Sequence, residues 1–314
     1  MIVRRAHSDD RSGRVFRLSA ILLALGILAG TIADRPAARR IRMAGDYRIL
    51  AVDFHTHSSM WSDGALTPWG LVLEAGRAGL DAIAITGHDE VWDGRVGRAF
   101  SRLVGGPTVL VGEEVLSEPH YHLIAVGIAR RVSFRQRAAD AIDDVHRQGG
   151  VAIAAHPREE YWSGWDADAM ARLDGAEICH PLIYAVDETQ SEFERFAARG
   201  SVAAIGSSDF HGIGPMGACR TFVFASGDSP SAILEAVRAH RTVVYGRDGR
   251  AYGDAALMPL AERAGLREAA IEWQRRGGAL DWWSRIAGVI GLAGLVMASR
   301  GGPRRDALRR EQSA

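Results

Sequence analysis

Imidazoles and carboxylates recur in this sequence at spacings that suit a metal cation. The first group lies in Asp53-Phe54-His55-Thr56-His57, followed by a polar loop that carries Asp63. An apolar run, residues 49–52, precedes it and reads as a buried strand. Side chains two apart on a strand point the same way. His55 and His57 therefore aim at one point beyond the strand end. His88, Glu114, His122, His156, Asp209 and His211 follow, each beside a short apolar run. A mixed imidazole and carboxylate set suits zinc, manganese or iron better than calcium, which takes oxygen ligands. A carboxylate shared by two cations roughly 3.5–4 Å apart is an arrangement for phosphoryl hydrolysis, with water activated near neutral pH.

Such groups converge only if a fold collects the strand ends. Residues 67–79 begin with Thr67 as a cap and Pro68 at the first helical position, and predict a helix. Residues 80–86 and 109–111 predict strands, the second running into Glu113 and Glu114. Residues 121–126 continue as a strand and 134–148 as a helix closed by Gly149-Gly150. Strands follow at 151–155, 176–178, 202–205 and 221–224, with helices at 189–198 and 231–240. This alternation predicts an α/β architecture with parallel strands. In barrels of βα units the functional groups gather at the carboxyl ends of the strands.

Composition narrows the chemistry. The chain has 314 residues, 47% of them hydrophobic, enough for a sizeable core. Lys+Arg 38 balances Asp+Glu 38, so no global basic field favours a stable nucleic-acid partner. Every cation is arginine, which excludes a lysine Schiff base or a carboxylated lysine. Cys179 and Cys219 lack zinc-finger spacing and read as core thiols, a single bridge staying open if the domain is exported.

The two ends differ from the middle. Residues 1–17 are arginine-rich, and 18–33 are apolar and uncharged, the pattern of a signal anchor or of a signal peptide cut after Ala33. Residues 248–281 read as a helical stalk and 282–299 as a transmembrane helix with Trp282 and Trp283 at one border. Residues 300–314 form a basic tail. Gly288, Gly291 and Gly294 permit close helix packing. Both arginine-rich flanks then sit inside and the middle of the chain outside, although Arg35, Arg39, Arg40 and Arg42 lie on the wrong side for that rule.

The motifs D-F-H-T-H-S-x-x-x-S-D-G, A-I-T-G-H-D, G-E-E, H-L-I-A-V-G, A-H-P and S-D-F-H-G occur in that order. Together they resemble the polymerase and histidinol phosphatase (PHP) family over about residues 53–245. The resemblance implies a distorted seven-stranded (β/α) barrel, with the domain at 47–247 and a trinuclear site of divalent Zn, Mn or Fe. It implies that His55, His57, Glu114 and Asp209 hold the first metal and form the catalytic metal-hydroxide centre. Glu114 would bridge to a second metal on His122 and His156, and Asp63, His88 and His211 would hold a third. The activity implied is hydrolysis of phosphate mono- or diesters, on a phosphorylated small molecule or nucleotide. The apolar ends of the chain, read on their own, would anchor that domain in the membrane, facing away from the cytoplasm.

Two departures stand out. Gly87 occupies a position where the family carries an aspartate, so an outer acid is missing there. Glu113 competes with Glu114, which better fits the Gly-x-Glu spacing. Asp53, Asp89 and Ser208 are candidates to orient ligand imidazoles. Arg158 and Arg247 are candidates to grip a phosphate, or are solvated arginines. Trp61, Trp162 and Trp165 could stack on a base or pack. His120, His146, His180 and His240 match no motif and read as ordinary histidines. Competing readings are a metal-loaded sensor or binding domain, and an amidohydrolase-type hydrolase, which often needs the carboxylated lysine this chain lacks.

Overall fold

The computed structural model describes residues 3–33, 41–117, 120–212, 214–274 and 279–300. In chain order the elements are α1 (Val3–Ala33), β1 (Arg42–Ala44), β2 (Tyr47–Asp53), α2 (Pro68–Arg77), β3 (Ala82–Ile85), α3 (Trp92–Val104), β4 (Thr108–Ser117) and β5 (Tyr121–Val126). Then come α4 (Ala138–Arg147), β6 (Val151–Ala154), α5 (Ala167–Arg172), β7 (Gly175–Cys179), α6 (Leu182–Ala185), α7 (Thr189–Ala197) and β8 (Ala203–Gly206). The chain continues through β9 (Thr221–Ala225), α8 (Pro230–Arg238), β10 (Thr242–Tyr245), β11 (Ala251–Gly253), α9 (Met258–Arg263), α10 (Leu266–Gln274) and α11 (Ala279–Arg300). It divides into two compact units, Pro36–Gln274 and the two ends, Met1–Arg35 with Arg275–Ala314.

The larger unit is a mixed α/β sheet in the order β11-β10-β9-β2-β3-β4-β5-β6-β7-β8, with β1 beside β2. The strands β2-β3-β4 and β6-β7-β8 are parallel, as expected. The β4–β5, β5–β6, β2–β9 and β9–β10 pairs are antiparallel, so the sheet has more strands than the expected seven. Only residues 118–120 separate β4 from β5, too few for a crossover, and a hairpin results. The sheet curls until β8 meets β9 through a side chain. Thr221 Oγ1 donates to Gly206 O and accepts from Gly206 N, both at 2.8 Å. A Cβ at Gly206 would lie 2.1 Å from Cys219 O, so the seam requires glycine there.

Alternation along the strands builds the cores. Leu50, Val52 and Phe54 of the β2 region pack with Ala82, Ala84, Val223 and, from α8, Ile233 and Val237. The opposite set, Ile49, Ala51, Ile83 and Phe222, packs with Leu71 and Ala75 of α2. Each such buried Val, Leu, Ile or Phe contributes about 1.5–3 kcal/mol. Helix α2 starts where expected, with Thr67 accepting from Gly70 N and Pro68 inside the first turn. Helix α3 was not legible, because small or polar residues, Asp93, Gly94, Gly97 and Ser101, form its buried face. Helix α4 is shorter than the expected 134–148.

The expected stalk at 248–281 is a further difference. β11 pairs with β10, and Leu257, Ala261, Leu266 and Ala270 are buried in the same core as α2, so the chain stays folded on the domain through α10. Apolar residues at helical spacing in 257–270 bind this stretch to the barrel.

In the unit of the two ends, α1 and α11 pack against each other. Cβ atoms built at Gly294, Gly291, Gly26 and Gly30 would meet Ser19, Leu23, Gly288 and Ser284 within 3 Å, an antiparallel order of contacts. Ser284 Oγ donates to Gly26 O at 2.7 Å. Residues Gly13–Ala33 and Ala279–Ser299 are helices long and apolar enough to cross a membrane. Residues 1–2 of the basic N-terminal segment, the arginines at 35, 39 and 40, and tail residues 301–314 lie outside the described residues.

Candidate metal centre

The segment after β2 extends like a strand without pairing in full. His57 N donates to Phe210 O at 3.0 Å, and Phe210 N donates to His55 O at 3.3 Å, tying the two histidines to the loop after β8. Thr56 Oγ1 donates to Ala84 O at 2.7 Å and fixes the same segment to β3. His55 and His57 thereby lie two apart and fully buried. Gly64 closes the loop that returns Asp63, and a Cβ there would lie 2.1 Å from His57 O.

All nine residues expected at the site come together. Glu114 is central. Its Oε2 lies 3.2, 3.5 and 3.2 Å from His55 Nε2, His57 Nε2 and His88 Nδ1. Its Oε1 lies 3.3 and 3.1 Å from His122 Nδ1 and His156 Nε2. Asp209 Oδ1 is 3.3 and 3.1 Å from the Nε2 atoms of His55 and His57. Asp63 Oδ1 is 3.3 Å from His88 Nε2 and 3.2 Å from His211 Nε2. Because β5 runs antiparallel, His122 reaches this end of the barrel from the start of its strand, not its end. Glu113 points away from the cluster and accepts from Val132 N.

The chain stores strain here. Trp61, Asp89, His156 and Asp209 have positive φ, at 65°, 49°, 23° and 45°. All four lie on loops that carry these groups. Left-handed backbone on non-glycine residues costs of order 1–3 kcal/mol each and concentrates at functional sites.

Charge explains the titration behaviour. Burial pulls His55 down, but Asp209, Glu114 and Glu177 outweigh it and hold the ring well above its ordinary value. Burial wins at His57, which falls to about 4. Burial opposes ionisation of Glu114 and Asp209, yet the charge on His55 and the other imidazoles close by hold both carboxyls low. His88 and His156 are raised, burial being outweighed chiefly by Glu114.

The donor set fits divalent cations on direct grounds. His55 Nε2, His57 Nε2, His88 Nδ1 and Asp209 Oδ1 are buried without a hydrogen-bond partner, although they face one another. An unsatisfied buried polar atom costs about 1–3 kcal/mol. Several at one point are relieved by a cation, which accepts all their lone pairs. Four overlapping groups are close enough to hold one: His57, Asp63, His88 and His211; His55, His57 and Glu114; Glu114, His122 and His156; and His55, His180 and Asp209.

Two residues at the centre are ones the sequence did not single out: Glu177, passed over as part of a brief strand, and His180, read as an ordinary histidine, which lies beside Asp209 and His55. Glu177, in β7, accepts from Ser207 Oγ, and lies 3.1 Å from His55 Nδ1 and 2.6 Å from His156 N. It is fully buried, and burial is outweighed by His55 and His180, so its carboxyl falls to about 2. A lone carboxylate between Ala176 and Ile178 was the available clue, since buried acids are almost always paired. His180 follows β7 directly and lies 3.4 Å from Asp209 Oδ2.

The expected orienting residues do other work. Asp53 accepts from the backbone N–H groups of His55, Ser208 and Gly217, and from Ser208 Oγ, clamping the two loops together. Ser208 therefore bonds Asp53 and no imidazole. Asp89 N donates to Glu114 O. The gap at Gly87 is filled from α3: a Cβ there would lie 2.4 Å from Asp93 Oδ2. Asp93 accepts from Ser58 Oγ at 3.3 Å, and burial raises it to about 6.

Arg158 pairs with Glu192 at 3.4 Å and Arg247 with Asp187 at 3.3 Å, so carboxylates occupy both candidate phosphate grips. Trp165 is buried against Tyr121 and Phe196. Trp162 donates Nε1 to Pro157 O. Trp61 is 53% exposed. Cys179 and Cys219 are free, buried thiols.

Residues 191–242 match the family model described as PHP-associated. No curated protein matches the chain. A two-domain protein from Bacteroides vulgatus, containing a predicted PHP-like metal-dependent phosphoesterase, is 23% identical with a TM-score of 0.60, covering 73% of this chain and 74% of its own. A candidate metal-dependent phosphoesterase from Bifidobacterium adolescentis is 22% identical with a TM-score of 0.39, covering 51% and 87%. An amidohydrolase from Chromobacterium violaceum, with bound sulfate and no metal, is 19% identical with a TM-score of 0.43, covering 53% and 89%. The first likeness identifies the fold.

Proposed function

We propose that this chain, whose motifs and fold are those of the PHP family, is a metal-dependent phosphoesterase acting on phosphate mono- or diesters. The observation that carries the reading is Glu114, flanked by His55, His57 and His88 on one oxygen and by His122 and His156 on the other. That is the form of a carboxylate shared between cations. The Bacteroides vulgatus protein, alike in fold, contains a predicted domain of this activity.

In this reading His55, His57, Glu114 and Asp209 would hold one cation, Glu114, His122 and His156 a second, and Asp63, His88 and His211 a third. Zinc, manganese or iron would supply Lewis acidity and an activated water. The protein's part is to hold these donors rigid. Glu177 fixes the ring of His55 through Nδ1, and the strained backbone at His156 and Asp209 aims both side chains inward. Arg158 and Arg247 would have to release Glu192 and Asp187 to grip a substrate phosphate. The substrate is a phosphorylated small molecule or nucleotide.

The antiparallel α1 and α11 helices favour an anchor in the lipid bilayer, with both termini on the cytoplasmic side and the barrel outside. Either arm is testable. Full-length protein in detergent, loaded with Mn²⁺ or Zn²⁺, should hydrolyse aryl phosphate mono- or diesters, and His57→Ala should not. The same rates for wild type and His57→Ala on both substrates would end the proposal. A reporter fused after Ala314 that works only outside the cytoplasm would end the topology.

A further inference from the structure

We infer that His180 is a positioning residue for Asp209: its Nε2–H faces Asp209 Oδ2 and leaves Oδ1 turned to His55 and His57. The inference rests on the metal reading above and gives a role to a histidine outside the nine expected ligands.

The argument begins with the other ring nitrogen. Leu182 N donates to His180 Nδ1 at 3.2 Å. A nitrogen that accepts a hydrogen bond uses its lone pair, so in the neutral ring the proton sits on Nε2. The backbone thus sets the tautomer. His180 is 3% exposed, and its Nε2 has no partner of ordinary hydrogen-bond geometry. The acceptor it faces is Asp209 Oδ2, 3.4 Å away. That is long for such a bond, as contacts in catalytic sites often are until the full complex tightens them. The ring is held edge-on between His156 and Phe193, with centroids 5.3 and 6.4 Å away.

Asp209 has a division of labour as a result. Oδ1 is within 3.5 Å of His55, His57 and His211, and Oδ2 looks the other way, at His180. A donor on Oδ2 stops the carboxylate from rotating and fixes which oxygen meets a cation.

Proximity alone would also allow His180 to be a ligand beside His55 and Asp209. The proton position argues against it. To offer a lone pair at Nε2, the neutral ring must carry its proton on Nδ1, which would then confront the Leu182 N–H, donor against donor.

The experiment compares full-length wild type, His180→Gln and His180→Phe in detergent, each checked for fold by circular dichroism. Glutamine keeps an N–H near the Nε2 position, and phenylalanine keeps only the shape. Mn²⁺ affinity is read by calorimetry and cations per chain by elemental analysis. His180→Phe should bind one class of Mn²⁺ about 10–100-fold more weakly with the number of cations unchanged, and His180→Gln should recover most of the loss. Wild-type affinity in His180→Phe, equal damage in both variants, or loss of one whole cation per chain each overturns the inference. The tautomer is read separately, in metal-free protein, by ¹⁵N-histidine NMR, and a proton on Nδ1 also overturns it. A wild type that takes up no cation refutes the metal reading instead, while the NMR result still decides the donor.

Discussion

Replacing Glu177 with glutamine tests whether one buried carboxylate organises the centre. Its two oxygens serve three donors: His55 Nδ1, His156 N and Ser207 Oγ. Glutamine has the same shape but only one accepting oxygen. With that oxygen towards His55 and Ser207, its NH2 meets the His156 N–H across 2.6 Å. Flipped, the NH2 meets two other donors. At least one buried donor is stranded, at about 1–3 kcal/mol. Linkage gives a similar figure. The carboxyl lies at about 2 instead of 4.5, and at 1.36 kcal/mol per pKa unit the ionised form is favoured by ~3 kcal/mol. A lowered carboxyl stabilises above its unfolded pKa, near 4.5, and that contribution is lost as pH falls towards 2. Cation-free Glu177→Gln should therefore be about 2–4 kcal/mol less stable in urea at pH 7, with the gap narrowing below pH 4.5. Mn²⁺ should bind about 10–100-fold more weakly. A variant within about 0.5 kcal/mol of wild type, with unaltered Mn²⁺ affinity, would refute the reasoning.

Other perturbations follow from the same contacts. His55, His88 and His156 are raised in the cation-free protein, so Mn²⁺ must displace protons and bind more tightly as pH rises. Calorimetry in buffers of different ionisation enthalpy should show proton release, and none would contradict the assignment. Burial raises Glu113 from 4.5 to about 8, so the stability it contributes is full below pH 4.5 and is lost as pH rises through 8. Glu113→Gln should flatten that decline in urea midpoints between pH 5 and 9, and parallel curves would exclude the effect. Gly64→Ala places a Cβ against the His57 carbonyl and should cost about 1–3 kcal/mol, visible as a lowered Tm. In the terminal helices, Gly291→Leu would collide with Leu23 backbone, so a Ser19→Cys/Gly294→Cys pair should cross-link less efficiently in that background. Undiminished cross-linking would mean that the helices do not pack there.

Local sequence patterns were enough to pick out the imidazoles and carboxylates that gather at the candidate centre. Period-two spacing put His55 and His57 on one side of a strand, and short apolar runs marked where His88, Glu114, His156 and Asp209 would emerge. These are local rules, satisfied by neighbouring residues before any fold exists. The helix α3 escaped them, because its inward face is built of glycine, serine and aspartate, which carry no hydrophobic period. The hairpin between β4 and β5 escaped too, and with it the fact that His122 enters from the start of a strand. Only closure of the sheet decided the rest. Asp93 fills the space beside Gly87, Glu177 reaches His55 across 122 positions of chain, and His180 turns towards Asp209. No spacing rule spans such distances. Which side chain meets which is set by how the strands register when their apolar faces are buried, and that register is a property of the whole sheet.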